Sequence, residues 1–249
     1  MNSQHVKNIN FEEKIKMLIQ EKRKIEKLIE NNPATKIKNI NSLCFELFWN
    51  KFNTFDECKA SNTETQKKIR EDVQKGLREG QHTFHLHPLA QKIIKTIFVD
   101  LDLIPVIFPF LLYDHDIKVF DMLDIVAWNK KTETYACIDL KIGFEKYYGN
   151  HNNNNMNNMQ IVIDNSILNQ HLVELLVKRE MIRVNNNNIL IRENECYLIR
   201  AIPELNEIHI YTVPSFIFQQ GDNIYKMFCK KRIETLPSFT NGTKIEIIK

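Results

Sequence analysis

Three consecutive apolar segments in the middle of the chain constrain its fold more than any other feature. They span Val106–Tyr113, Lys118–Trp128 and Thr134–Ile142, and they are rich in β-branched and aromatic residues. Short polar turns at 114–116 and 129–131 separate them. Because apolar, β-branched runs bounded by polar turns are typical of strands, the pattern predicts a meander of three strands.

Apolar residues at helical spacing flank this meander on both sides. The predicted helices lie at about 10–31, 41–53, 64–79 and 87–99 before it, and at about 166–182 after it. Two more strands, Glu195–Ile202 and Glu207–Val213, are joined by a polar turn. This order of elements predicts an α/β (α+β) fold in which helices flank a mixed central sheet.

The chain divides into two parts by this pattern. Residues 1–62 form a predicted N-terminal helical extension, and residues 63–249 form the predicted core. Within the core, positions 150–158 hold seven asparagines in nine positions. Such a low-complexity run is typical of a surface loop. The frequent asparagine indicates an AT-rich genome, such as that of a protist or a large DNA virus.

Composition excludes several classes of protein. The 249 residues carry 34 basic and 31 acidic side chains, and no apolar run reaches the roughly 18–20 residues that span a bilayer. The first residues lack the apolar core of a secretory signal. Five scattered cysteines without a CxxC pair argue against a disulfide framework, a zinc ribbon or an iron–sulfur site. We therefore expect a reducing intracellular compartment, which could be the cytoplasm, the nucleus or a viral factory, and no membrane partner.

Glycine is scarce, with only six residues in the chain. Neither GxGxxG nor GxxxxGK[ST] occurs. These loops need glycine so that the backbone can approach a phosphate closely, and their absence sets aside Rossmann and P-loop nucleotide binding.

Three charged residues in the meander are candidates for chemistry. Asp124 lies in an apolar run, and Asp139 and Lys141 lie two apart in another, so these two share one strand face. If the two strands pair across the turn at 129–133, Asp124 approaches Asp139. Converging carboxylates in an apolar sheet need a compensating cation, and oxygen ligands suit Mg²⁺ or Mn²⁺. The alternative is an ordinary cross-strand ion pair, with Asp124 at a strand end.

The pattern resembles the PD-(D/E)XK nuclease superfamily, and in particular its RecB-like exonuclease branch, over about residues 64–215. That branch shows a strand ending G-x-x-D, a turn, and then (D/E)-x-K-T-G, which Asp124 and positions 139–143 match. Its upstream His-x-x-x-Glu helix corresponds to His87-Pro-Leu-Ala-Gln91, and its downstream Gln-x-x-x-Tyr helix to Gln170-His-Leu-Val-Glu174. The departures from the pattern are Asp121 for glycine, Gln91 for glutamate, Ile142 for threonine and Glu174 for tyrosine.

The resemblance implies a restriction-endonuclease-like core and a metal-dependent nuclease. By this resemblance, Asp124, Asp139 and the Leu140 carbonyl hold Mg²⁺ or Mn²⁺, and His87 is an added ligand. Lys141 then activates water for attack on a phosphodiester, and Gln170 orients that lysine or the substrate. The implied activity is that of a DNA exonuclease in replication, repair or recombination, with DNA favoured over RNA. The alternative is a catalytically inactive scaffold that acts as a nucleic-acid-binding or interaction protein.

Two further patterns leave alternatives open. The histidines of His82-x-x-His85-x-His87 could bind zinc, could be surface or supporting groups, or could supply the His87 ligand. Basic clusters could contact phosphates or could be solvated surfaces. These clusters are Lys67-Lys68 with Arg70, Lys178-Arg179, and Lys230-Lys231-Arg232.

Overall fold

The computed structural model describes residues 63–80, 84–114, 116–143, 167–185 and 189–235, together with single positions between 13 and 44. The single positions (13, 16, 19–20, 23–24, 26–27, 40 and 43–44) are all helical, and most of them fall within the two helices predicted there. The asparagine-rich run at 150–158 and His82 lie outside the described residues.

The core begins with two helices, continues with a group of strands, and returns after one helix to two more strands, as the sequence predicts, and it ends in two further helices. The helices are α1 (Thr63–Glu79), α2 (Pro88–Lys95, continued by a π-helical turn at Thr96–Asp100), α3 (Ile167–Asn185), α4 (Ser215–Phe218) and α5 (Gly221–Thr235). The strands are β1 (Leu103–Ile107), β2 (Phe110–Asp114), β3 (Val119–Leu123), β4 (Ile125–Asn129), β5 (Thr134–Ile142), β6 (Ile191–Ile202) and β7 (Glu207–Thr212).

Five of the strands form one mixed sheet in the order β1-β4-β5-β6-β7. Strands β5 and β6 run parallel, since the chain crosses over through α3 between them, and the other pairs are antiparallel. Strands β2 and β3 pair separately as a two-stranded sheet. The predicted fold class, a mixed sheet flanked by helices, is confirmed.

The predicted three-stranded meander is wrong in its first two strands. Only Thr134–Ile142 forms a single strand with the predicted bounds. The first segment breaks at the cis bond before Pro109, whose nitrogen has no hydrogen to donate to a ladder. The second segment breaks at Asp124, whose carboxylate accepts a hydrogen bond from the Leu140 N–H. Each segment therefore contributes one strand to the main sheet and one to the β2–β3 pair.

The two faces of the main sheet bury separate apolar cores. Helices α1 and α2 cover one face, where Ile138 and Leu140 of β5 point. Helices α3 and α5 and the β2–β3 pair cover the other, where Cys137 points. Ile40, Leu43 and Cys44 from the upstream region are buried in this second core. The alternation along β5 thus directs Asp139 and Lys141 toward α3.

Helices α4 and α5 have no counterpart among the predicted elements. In α5 the buried residues Ile224, Tyr225 and Phe228 form the apolar stripe. The basic run at 230–232 interrupts the helical spacing of apolar residues, so the sequence pattern does not reveal this helix. Arg232 of that run is buried and donates to the Ile117 carbonyl oxygen at 3.0 Å. This arginine is therefore a structural anchor for the turn before β3, not part of a solvated surface.

The described cysteines, Cys44, Cys137, Cys196 and Cys229, are free thiols. Among the helices of the described ranges, none has both the length and the apolar composition that crossing a membrane requires.

Candidate active site

Asp124, Asp139 and Lys141 come together where β4 begins. The pairing of Ile125 with Ile138, extended by one residue, sets Asp124 opposite Asp139. The Leu140 N–H donates to Asp124 Oδ2 at 2.7 Å, which fixes the Asp124 carboxylate against β5. Lys141 Nζ lies 2.8 Å from Asp139 Oδ2. The convergence of these three residues follows from the strand pairing that the sequence predicts.

Helix α3 supplies a second layer to this cluster. Gln170, Glu174 and Lys178 follow each other at four-residue spacing, so they share one helix face, and all are buried. Glu174 Oε2 lies 2.9 Å from Lys141 Nζ, and Glu174 Oε1 lies 2.8 Å from Lys178 Nζ. Lys178 Nζ also lies 3.3 Å from Asp139 Oδ1. Two lysines and two carboxylates therefore alternate in a buried network.

Asp121 of β3 extends the network toward the upstream region. Its Oδ1 lies 3.8 Å from Lys178 Nζ, and its Oδ2 accepts a hydrogen bond from the Ile40 N–H at 2.9 Å. The position that is glycine in the RecB-like pattern thus holds a carboxylate that ties Ile40 to the site. Lys178 is consequently an internal cation, so neither alternative left open for its cluster, a phosphate contact or a solvated surface, describes this residue.

Arg70 of α1 closes the site on the side opposite α3. One guanidinium nitrogen pairs with Asp124 Oδ1, and the other donates to the Leu140 carbonyl oxygen at 2.5 Å. The side chain of Arg70 is 39% exposed, whereas those of Lys141 and Lys178 are 10% and 3% exposed. Arg70 is therefore the cation of this cluster with a path to solvent.

The three acidic groups at the centre have different protonation behaviour. Burial and the neighbouring Asp139 raise the pKa of Asp124 to about 6, against the opposing effect of Arg70. Burial also opposes ionisation of Asp139, but Lys141 and Lys178 outweigh it and hold its pKa well below the usual range. The same two lysines overcome burial and lower the pKa of Glu174 to about 2. Asp139 and Glu174 are therefore ionised at neutral pH.

The two lysines are charged. Burial disfavours their ammonium forms, but Asp139 and Glu174 outweigh it and raise the pKa of both Lys141 and Lys178. A protonated Lys141 is a donor that can stabilise negative charge, and it cannot accept a proton from water. Next to Gln170, burial lowers the pKa of His171 to about 3, so this imidazole is neutral.

His87 has a structural role in the geometry seen here. Its Nδ1 accepts a hydrogen bond from the Leu89 N–H at 3.2 Å and caps α2, and the backbone N–H of His87 donates to Asp72 Oδ2 at 2.8 Å. A neutral imidazole has one nitrogen lone pair, which the cap uses, so ligation of a metal requires the cap to open. The ligand role of His87 stays a prediction. His85 is exposed and lies 3.4 Å from Glu79.

Oxygen atoms suited to a divalent cation converge on the Arg70 guanidinium. Among the residues that the structure describes, no group of three His, Cys, Asp or Glu side chains forms a metal site. Asp124 Oδ1 and the Leu140 carbonyl oxygen nevertheless hold one cationic group between them, and a carboxylate and a backbone carbonyl are ligands of Mg²⁺ and Mn²⁺. These two of the implied ligands fit such an ion, while Asp139 is engaged by lysines.

No protein-family model matches the sequence, and no curated protein matches it either.

Four residues of the cluster are missing from the sequence-based site. Glu174 and Lys178 could have been found from their four-residue spacing after Gln170, which places all three on one helix face. Arg70 and Asp121 carry no such signal, since each reaches the site only through tertiary packing of its own element.

Proposed function

We propose that the chain is a divalent-metal-dependent nuclease that hydrolyses DNA from its ends, in replication, repair or recombination. The observation that carries the proposal is the convergence of Asp124, Asp139 and Lys141 at one point of the sheet, with the Lys141 ammonium 2.8 Å from Asp139. A buried ammonium beside two carboxylates is a suitable arrangement for binding and cleaving a phosphodiester.

Each residue has a definite part in this proposal. Asp124, Asp139 and the Leu140 carbonyl oxygen would hold Mg²⁺ or Mn²⁺. The ion would supply Lewis-acid polarisation of the scissile phosphate. Lys141 donates to a phosphate oxygen as negative charge develops there, and Glu174 together with Asp139 keeps it protonated and in place. Gln170, buried on the same face of α3, orients Lys141 or the substrate.

A second candidate function is nucleic-acid binding without turnover, on the same scaffold. The observation that favours it is that Arg70 already bridges Asp124 and the Leu140 carbonyl, and that both buried lysines are paired with carboxylates. A cluster with these internal pairs is charge-compensated to within one charge and needs no metal for folding.

A cleavage assay separates the two. Purified protein is incubated with end-labelled single- and double-stranded DNA and RNA of one sequence, in Mn²⁺, Mg²⁺ or EDTA. Nuclease function predicts metal-dependent cleavage of linear DNA, little cleavage of closed circular DNA, and none in EDTA or by Asp139→Asn. Circular dichroism of Asp139→Asn shows whether the variant folds. Binding of DNA without cleavage in either metal would favour the scaffold, and neither binding nor cleavage would refute both.

A further inference from the structure

The Arg70 guanidinium occupies the position that a divalent cation would take in the site. It contacts both Asp124 Oδ1 and the Leu140 carbonyl oxygen, which belong to two of the three residues that the proposed function assigns to the metal. Asp124 Oδ2 stays engaged with the Leu140 N–H at 2.7 Å. Oδ1 is therefore already oriented, and a cation could replace the guanidinium without movement of the carboxylate.

The charges of the cluster favour such an exchange. Four carboxylates, those of Asp121, Asp124, Asp139 and Glu174, face three cations, Arg70, Lys141 and Lys178. With all seven groups ionised the cluster carries one negative charge. If a divalent ion replaces Arg70, the net charge is zero, which lowers the cost of burying the carboxylates.

Only Arg70 among the three cations is free to leave. Its side chain is 39% exposed on α1, whereas Lys178 is 3% exposed and contacts Glu174, Asp139 and Asp121. An arginine that rotates into water regains its hydration at little cost. The lysines have no such route, because the side chain of Lys141 is only 10% exposed and that of Lys178 only 3%.

From this geometry we propose that Arg70 is a built-in counter-cation that the metal ion must displace, so that Arg70 sets the metal affinity of the site. The inference rests on the proposed function for the identity of the metal ligands. It extends that function by naming a residue that keeps the carboxylate compensated before metal binds and that competes with the metal afterwards.

The test measures Mn²⁺ binding by isothermal titration calorimetry and by thermal unfolding, with no nucleic acid present. Arg70→Gln removes the competing charge, and we expect its Mn²⁺ dissociation constant to fall at least tenfold, which corresponds to about 1.4 kcal/mol. Without metal this variant should melt below wild type, and Mn²⁺ should raise its melting temperature more than that of wild type. Arg70→Lys, with a single ammonium, should bind Mn²⁺ with intermediate affinity.

Lys67→Gln is the matched control, since it removes one positive charge from the same helix at a side chain that is 79% exposed. Its Mn²⁺ affinity should equal that of wild type, whereas Asp124→Asn should abolish binding. Equal or weaker binding by Arg70→Gln would overturn the proposal, as would the same gain in Lys67→Gln. If Arg70→Gln does not fold even with Mn²⁺, Arg70→Lys decides: affinity no tighter than wild type overturns the proposal.

The outcome also separates this inference from the proposed function. Tighter Mn²⁺ binding by Arg70→Gln without any DNA cleavage would support the exchange and refute the nuclease. Cleavage of DNA by wild type, together with an Mn²⁺ affinity that Arg70→Gln does not change, would support the nuclease and refute the exchange.

Discussion

Lys178 is the most deeply buried cation of the site, and its removal should destabilise the protein strongly. The side chain is 3% exposed, and its ammonium lies 2.8 Å from Glu174 and 3.3 Å from Asp139. Lys178→Met keeps the length of the side chain but leaves these two carboxylates with Lys141 as their one shared cation among the described residues. Breaking a buried ion pair by removing one partner costs about 3–5 kcal/mol. For a chain of this size, that lowers the melting temperature by roughly 10 °C.

Urea unfolding followed by circular dichroism measures this cost from the transition midpoint, provided that the slope stays that of wild type. Glu174→Gln serves as the partner in a double-mutant cycle. Because the neutral amide no longer needs Lys178, the double variant should be more stable than the sum of the two single costs predicts, by at least about 1 kcal/mol. A cost below about 1 kcal/mol for Lys178→Met, or strictly additive costs, would refute the internal network.

Three further predictions concern neighbouring residues. Gln170→Ala should lower turnover at least tenfold with DNA affinity little changed. Turnover equal to that of wild type in steady-state assays would show that Gln170 has no part in the site. His87→Asn keeps a capping oxygen and should melt near wild type, whereas His87→Ala should lower the free energy of unfolding by about 1 kcal/mol. If His87 is a metal ligand, His87→Asn should bind Mn²⁺ at least tenfold more weakly. Unchanged Mn²⁺ binding would show that His87 serves only as the helix cap. The pKa of His171 is about 3 in the folded protein against 6.5 for a free imidazole, so between these values the unfolded chain binds the extra proton and stability falls as pH falls. His171→Gln should therefore lose less stability than wild type between about pH 7 and pH 4, and an equal loss in urea titrations would contradict the assignment.

How far the sequence predicts the molecule depends on the range of the interactions. Strand β5 is predicted with its observed bounds because its pattern is local, and the shared face of Asp139 and Lys141 follows from the two-residue period of a strand. The break at Asp124 is not predicted, since it depends on a hydrogen bond to Leu140, 16 positions away in the chain. The apolar run around Asp124 does not show that its carboxylate, instead of a backbone carbonyl, accepts the hydrogen bond from Leu140.

The site residues that the sequence did not predict also depend on long-range packing. Lys178 and Arg70 each stand in a basic cluster of the sequence, and such clusters are usually solvated. Their burial or pairing is decided by where α3 and α1 pack on the sheet. Asp121 likewise joins the site through contacts with Lys178 and Ile40, which lie far from it in the chain.

The most direct test of the account compares single-turnover cleavage and DNA affinity for Lys141→Met. Lys141 should lie against the scissile phosphate, so loss of its ammonium should lower the cleavage rate on the order of 10²–10³-fold, as loss of a preorganised donor does. Affinity should change little, because other phosphate contacts supply most of it. Lys226→Gln, with the same change in charge at a side chain that is 72% exposed and outside the three basic clusters, should match wild type in both. A Lys141→Met variant that cleaves DNA at the wild-type rate would contradict the assignment of this site.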